Sequence, residues 1–254
     1  MTESSQPPSS AETAWQILPQ GDRCLVIQLG DAISEATGQR CLGLAQALRD
    51  AAWPGVTDVV PSFTKVAVHY RPLPDGSGPT YDALRARIEA RLAAGIDVAE
   101  QGGREVDIPV CYGGEHGPDL DDVARAAGIT PEAVIALHTQ PGAMVYMLGF
   151  APGHAYIGEA VHRAYGRLDE RLGIGRRDTP RSVVPTGSVA VANRQSVIYP
   201  NRLPGGWNII GATPLTLFDA TREPAALLQP GDRIRFVPID QAEFDRLRAA
   251  QEAR

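Results

Sequence analysis

The sequence predicts an α+β chain in two parts, a ferredoxin-like unit followed by a strand-rich barrel or sandwich. Three observations carry this. Between about residues 15 and 112, apolar runs of strand and helix period follow one another in the order β-α-β-β-α-β. From Met144 onward helical spacing nearly vanishes, and short apolar runs are separated by Gly and Pro. The 254 residues are 43% hydrophobic, enough to build a real core and to exclude wholesale disorder.

The elements follow in order. MTESSQPPSSAET is polar and lacks the charged and apolar regions of a secretory leader, so residues 1–14 read as a disordered tail. DRCLVIQLG is a strand. In SEATGQRCLGLAQALRDAAW, Cys41, Leu44, Ala45, Leu48 and Ala52 recur at helical spacing, and Trp53-Pro54-Gly55 stops the helix. VTDVVPS and KVAVHYRP are two strands, with Pro61 marking a break or bulge between them. A second helix, TYDALRARIEARLAAG, gathers Tyr81, Leu84, Ile88 and Leu92 on one face, and REVDIPVCYG closes the pattern as a strand. The domain limits are expected at 15–103 and 104–240, with a C-terminal helix over 241–254.

Two short helices open the second part. GPDLDDVARAAG has Gly128 as its C-cap, and TPEAVIALHTQ has Thr130 as N-cap and Pro131 at the first helical position. MVYMLGFA, SVAVAN, SVIYP, WNIIGAT, TLFDA and RIRFVPI are the short strands. DQAEFDRLRAAQ closes the chain as a helix, with Asp240 and Glu243 at capping-box spacing.

Charge and motif content exclude several functions. A net charge of −6 with both signs interspersed gives no footprint for nucleic acid. No apolar run approaches the ~20 residues that span a bilayer. Cys24, Cys41 and Cys111 are odd in number and widely spaced, so they read as small buried hydrophobes in a reduced, cytoplasmic protein with no metal site. The chain has no GxSxG, HExxH, P-loop or GxGxxG. His69 alternates with Val66 and Val68 and suits an edge strand, while His138 ends a helix, where a cation complements the dipole.

The chemistry-bearing positions gather in four Gly-rich loops: YGGEHGPDL, GFAPGHAYIG, TPRSVVPTGSVAV and YPNRLPGGWNIIG. Each by itself is an ordinary turn-maker; four in one small barrel suggest a shared site. Loops of this kind can aim backbone N–H groups at an oxyanion or phosphate. In the second loop His154 can act as general base or hydrogen-bond donor, flanked by Pro152, Gly153 and Tyr156. In the third, Arg181 can clamp a carboxylate bidentately, beside Pro185, Gly187 and Ser188. His154, Arg181 and Ser188 are the candidate catalytic residues. Gln195, Tyr199, Pro204, Gly205, Gly206 and Trp207 complete the candidate binding set. Trp207 is expected to pack beneath the two glycines, which let a substrate or partner chain approach.

These blocks, extended to YGGEHGPDLDDVA, LGFAPGHAYIG, TPRSVVPTGSVAVA and IYPNRLPGGWNIIGATP, resemble the signature blocks of the allophanate hydrolase subunit 1 family. The resemblance runs from about Asp22 to Val237. It implies a small α+β domain followed by a cyclophilin-like β-barrel. It implies a hydrolase component of a heteromeric complex: the B subunit of an ATP-dependent 5-oxoprolinase, which opens the lactam of 5-oxoproline to glutamate. The implied partners are an allophanate hydrolase subunit 2-like chain and a LamB/YcsF-like chain, with ATP bound somewhere in the complex. Two other roles in the family are an inhibitor of a sporulation-type histidine kinase and subunit 1 of an allophanate or urea-carboxylating system. Three departures fall in the loops: His154 where the pattern has an aromatic, the added EAVHRAY, and Asn193-Arg194 where small glycines are usual.

Overall fold

The computed structural model describes residues 15–72, 77–95, 103–159 and 168–252. The tail and the added EAVHRAY from Ala160 on lie outside the described residues. Along the chain run β1 (Gln16–Pro19), β2 (Cys24–Gln28), α1 (Glu35–Asp50), β3 (Val56–Pro61), β4 (Lys65–Tyr70), α2 (Tyr81–Ala93) and β5 (Glu105–Tyr112). Then come α3 (Leu120–Ala127), α4 (Pro131–His138), β6 (Ala143–Leu148), β7 (Ala155–Glu159), β8 (Arg181–Val184) and β9 (Ser188–Ala192). The chain ends with β10 (Gln195–Ile198), β11 (Leu203–Gly205), β12 (Asn208–Ala212), β13 (Arg233–Ile239) and α5 (Gln241–Glu252).

The first sheet has the order β1-β2-β4-β3, antiparallel throughout. Its helices form as their sequences dictate. Ser34 accepts from the Thr37 amide at 3.1 Å to start α1, and Cys41, Leu44, Ala45 and Leu48 are its buried face. Thr80 caps α2 in the same way, and Leu84, Ile88 and Leu92 face the sheet.

The expected closing strand of this unit goes elsewhere. β5 pairs in parallel with β13 from Glu105↔Arg233 to Cys111↔Ile239, and belongs to the barrel. Its place beside β2 is filled by β1, a strand the sequence pattern did not mark because QILP is too short to show a period. The preference has an energetic basis. In the barrel, Ile108 and Val110 are fully buried with Ile234 and Phe236, each side chain contributing about 1.5–3 kcal/mol. An edge strand offers one neighbour and one covered face. Two smaller corrections follow. His69 lies on β4, an interior strand, with its side chain facing solvent rather than at an edge. Pro61 ends β3, and the register shift lies between Val56 and Asp58.

The second part closes as a seven-stranded barrel, β10-β7-β6-β13-β5-β12-β9, with β9 and β10 paired to complete the ring. Strand alternation explains why β9 is buried on both faces. Val189 and Val191 point into the barrel core, while Ala190 and Ala192 face an outer cluster with Val184, Val197, Tyr199, Trp207 and Ile209. The two-stranded ribbon β8-β11 lies over that outer face, its Val184 and Leu203 packing into the cluster. RSVV and LPG therefore form strands where the sequence suggested only loop. TLFDA does the reverse, making one isolated bridge, Phe218 to Ala226. Asp240 accepts from the Glu243 amide at 2.8 Å and starts α5, which seats Phe244 against Cys111 and Ala212.

The two parts touch through α1, β6 and β13. Arg233 donates to Glu35 at 2.9 Å, and Met144, Tyr146, Ile33 and Phe63 pack together. The three cysteines are buried and free, as small hydrophobes. Among the described residues no helix is long and apolar enough to cross a membrane.

Candidate functional site

Three of the four Gly-rich loops converge on one cavity of about 720 Å³. Glu115 and His116 come from the loop after β5. Arg181, Pro185, Gly187 and Ser188 come from β8 and the turn into β9, and Pro200 and Asn201 follow β10. One wall is α5, through Phe244 and Arg248. The His116 ring stacks on Phe244 at 4.2 Å and its Nε2 lies 2.9 Å from Gln241 Oε1, which ties the first loop to that helix. The GFAPGHAYIG loop contributes no lining residue to the cavity; its Gly153 lies against Leu217 and Phe218, of which Phe218 lines it.

The cavity wall is organised by a carboxylate that sequence reasoning missed. Asp119, 2% exposed, accepts from Arg181 Nη1 and Nη2, both at 2.8 Å, from Arg177 Nη1 at 2.6 Å and from the Ile209 amide at 2.7 Å. The Asp119 amide returns a bond to the Ile209 carbonyl at 2.9 Å. Three of the loops are thereby fastened at one point, with two guanidinium charges against one carboxylate. Arg181 already has its bidentate carboxylate within the chain, so its expected role as a substrate clamp becomes one of holding the cavity wall. Asp119 resembles its neighbours Asp121 and Asp122 in sequence; only the fold buries it.

The loop amides expected to cradle an anion are also engaged. Gly113 donates to Ile210, Gly117 to Gly113, Gly187 to Tyr199 and Ser188 to Pro185, each to a backbone carbonyl. These four amides are therefore already satisfied within the chain.

His154, Tyr156, Tyr199 and Trp207 come together in a second place, on the outer face of β7, β9 and β10. His154 is 3% exposed, with ring contacts to Tyr156 at 5.1 Å, Phe150 at 5.3 Å and Tyr199 at 5.4 Å. Burial pushes its pKa down to about 4, so the imidazole is neutral at pH 7. Its Nδ1 is buried and has no hydrogen-bond partner among the described residues. A buried nitrogen left unpaired is costly, which sets His154 apart from the satisfied polar groups around it. Beside it Phe150, 65% exposed, holds φ at 72°, a left-handed conformation rare for a bulky side chain and typical of strained functional loops.

The remaining expected residues divide. Pro152 and Pro204 are exposed on the turn and on β11. Gln195 begins β10, at the opposite end of the strand from Tyr199, and joins neither place. Gly205 and Gly206 differ from the expectation of a common approach surface. A Cβ on Gly205 would fall 2.1 Å from the Tyr199 hydroxyl, so that glycine is needed by the protein's own Tyr. A Cβ on Gly206 would meet Pro180 at an ordinary 3.5 Å. Gly205→Ala is therefore expected to cost about 2 kcal/mol or more, and Gly206→Ala less than about 1 kcal/mol. Urea unfolding of the two variants checks this.

His138 overturns its expected role as a helix-end cation. It is 1% exposed, its Nδ1 2.7 Å from the Tyr112 hydroxyl and its Nε2 2.9 Å from Ser196 Oγ. Burial lowers its pKa to about 3 and raises that of Tyr112. The Tyr-His-Ser chain is an internal polar bolt between α4, β5 and β10.

The architecture defines an α+β protein whose closed barrel carries a ligand-sized cavity walled by Gly-rich loops. More particularly, the chain belongs to the family of the carboxyltransferase domain, subdomain C and D, which matches residues 15–228. It is 37% identical over 236 residues to the B subunit of 5-oxoprolinase from Bacillus subtilis (strain 168), covering 91% of this chain and 95% of that one. It is 37% identical over 218 residues to the B subunit of 5-oxoprolinase from Escherichia coli O157:H7, covering 86% and 93%. The crystal structure of TTHA0988 matches with a TM-score of 0.70 at 36% identity over 86% of this chain, which spans 40% of that longer chain.

Proposed function

We propose that this chain is the B subunit of an ATP-dependent 5-oxoprolinase, a complex that converts 5-oxo-L-proline, ATP and water to L-glutamate, ADP and phosphate. The observation that supports it is the end-to-end likeness to the B subunits of two 5-oxoprolinases. The partners in this reading are an allophanate hydrolase subunit 2-like chain and a LamB/YcsF-like chain, working in the cytoplasm. ATP, bound somewhere in the complex, supplies the free energy of lactam opening.

The residues divide the work. His154 is the catalytic group, a neutral imidazole whose free nitrogen hydrogen-bonds the reacting amide. Asp119 and Arg181 are positioning residues that hold the cavity wall. Ser188 lines the same cavity, apart from the group at His154.

The test is glutamate release by the three co-purified chains. Release that needs ATP and stops when this chain is omitted is the expected result. His154→Gln is expected to lower kcat about a hundredfold with the folded far-UV signal intact. Undiminished release without this chain would overturn the assignment.

A further inference from the structure

Arg176, Arg177 and Arg181 occur within six positions, and the fold treats them differently. Arg177 and Arg181 are bound to Asp119. Arg176 is exposed and forms no ion pair or hydrogen bond among the described residues. Its guanidinium lies 5.6 Å from the centre of the Trp207 ring. Trp207 is itself fixed, 7% exposed and packed with Tyr199 and Ile209. A guanidinium carried on a rigid aromatic face keeps its outer N–H fork directed and weakly hydrated, the arrangement that best receives a carboxylate.

The free cation and the orphaned imidazole flank the same side chain. Tyr199 meets the His154 ring edge-on at 5.4 Å. The Tyr199 hydroxyl lies against Gly205 and the Arg176 stem against the adjoining Gly206, which puts Arg176 at the hydroxyl end of Tyr199. Tyr156 closes the strip, 5.1 Å from His154 and 6.5 Å from Trp207. One side of Tyr199 therefore offers an unpaired positive charge, and the other a neutral hydrogen-bonding nitrogen, with aromatic walls between.

We propose that Arg176, held on Trp207, is the specificity residue that takes the carboxylate of a small amide or lactam acid whose neutral polar group reaches His154. The identity of the acid as 5-oxoproline rests on the reading of the chain as a 5-oxoprolinase component. The assignment of Arg176 rests on the geometry alone.

The experiment compares 5-oxoproline with 2-pyrrolidinone, the same lactam without the carboxylate, as substrates of the assembled complex. Arg176→Gln is expected to raise KM for 5-oxoproline about ten- to hundredfold with kcat within threefold. Its KM for 2-pyrrolidinone should be unchanged, and Arg176→Lys should recover part of the loss. An unchanged KM for 5-oxoproline, or an equal change for both lactams, overturns the role of Arg176 while leaving the enzyme assignment standing. If the wild-type complex opens neither lactam, the enzyme assignment falls, and binding to the full chain decides the rest. In that case, shifts of the His154 and Trp207 ring signals on adding 5-oxoproline, weakened at least tenfold by Arg176→Gln, retain the carboxylate site. Absence of those shifts removes it.

Discussion

Asp119→Ala is expected to lower the stability of the folded chain by about 3 kcal/mol, a fall in Tm of roughly 6–12 °C. The carboxylate is almost fully buried and accepts four hydrogen bonds, three of them from guanidinium groups. Its removal strands two positive charges against each other and leaves the Ile209 amide without its side-chain acceptor. Arg177 and Arg181 remain 33% and 24% exposed, so water relieves part of the penalty, which sets the expectation at the low end for a broken buried pair. Asp119→Asn should fall between, because it keeps an acceptor for Ile209 and loses the charge. Asp121→Ala, exposed on the same helix, should change stability by less than about 0.5 kcal/mol. Thermal unfolding followed by circular dichroism separates the three. A value for Asp119→Ala as small as that for Asp121→Ala would show that the knot does not hold the loops.

Stability should also fall as pH drops below about 6.5, by several kcal/mol at pH 4.5. The cause is two histidines kept neutral by burial, His138 at about 3 and His154 at about 4. The sign follows from proton counting. Between the folded values and the unfolded value near 6.5, the unfolded chain binds protons that the folded chain refuses. Acid therefore favours unfolding across that window, and the loss is complete only below the folded values. Each histidine contributes about 1.4 kcal/mol per pH unit within the window, hence about 2.5 kcal/mol between pH 6.5 and 4.5. Carboxylates add their own dependence at the acid end, so the decisive quantity is a difference. The slope of urea-unfolding free energy against pH should be shallower in His154→Gln than in the wild type by about one proton. Equal slopes would mean that His154 is charged or open to water in the folded chain.

Much of the architecture was legible because local periodicity and turn chemistry agree with it. The buried faces of α1 and α2, the Thr130 cap, the Gly128 stop and most barrel strands carry their signals within a few residues. The loops were legible as a set because Gly and Pro punctuate them. The membership of β5 was not, because its alternating apolar residues suit any sheet with a buried face. The choice between two sheets was made by the seven-residue match to β13, more than a hundred positions away.

The site shows the same division. Motif order carried the family and strand periodicity the two-part plan; of the candidate residues, His154, Tyr199 and Trp207 come together, and Arg181 and Ser188 line one cavity. Only the tertiary structure decided which partners each of them meets. Arg181 was expected to hold substrate and is bound to Asp119, while the nearby Arg176 has no ion pair among the described residues. His138 and His154 carry the same side chain, yet one is bonded at both nitrogens and the other has a buried nitrogen unpaired. The reason is physical. Charge and hydrogen-bonding capacity are local properties of a residue type, but burial and partners depend on chain segments distant in sequence, and these set whether a polar group is consumed by the fold or left for a ligand.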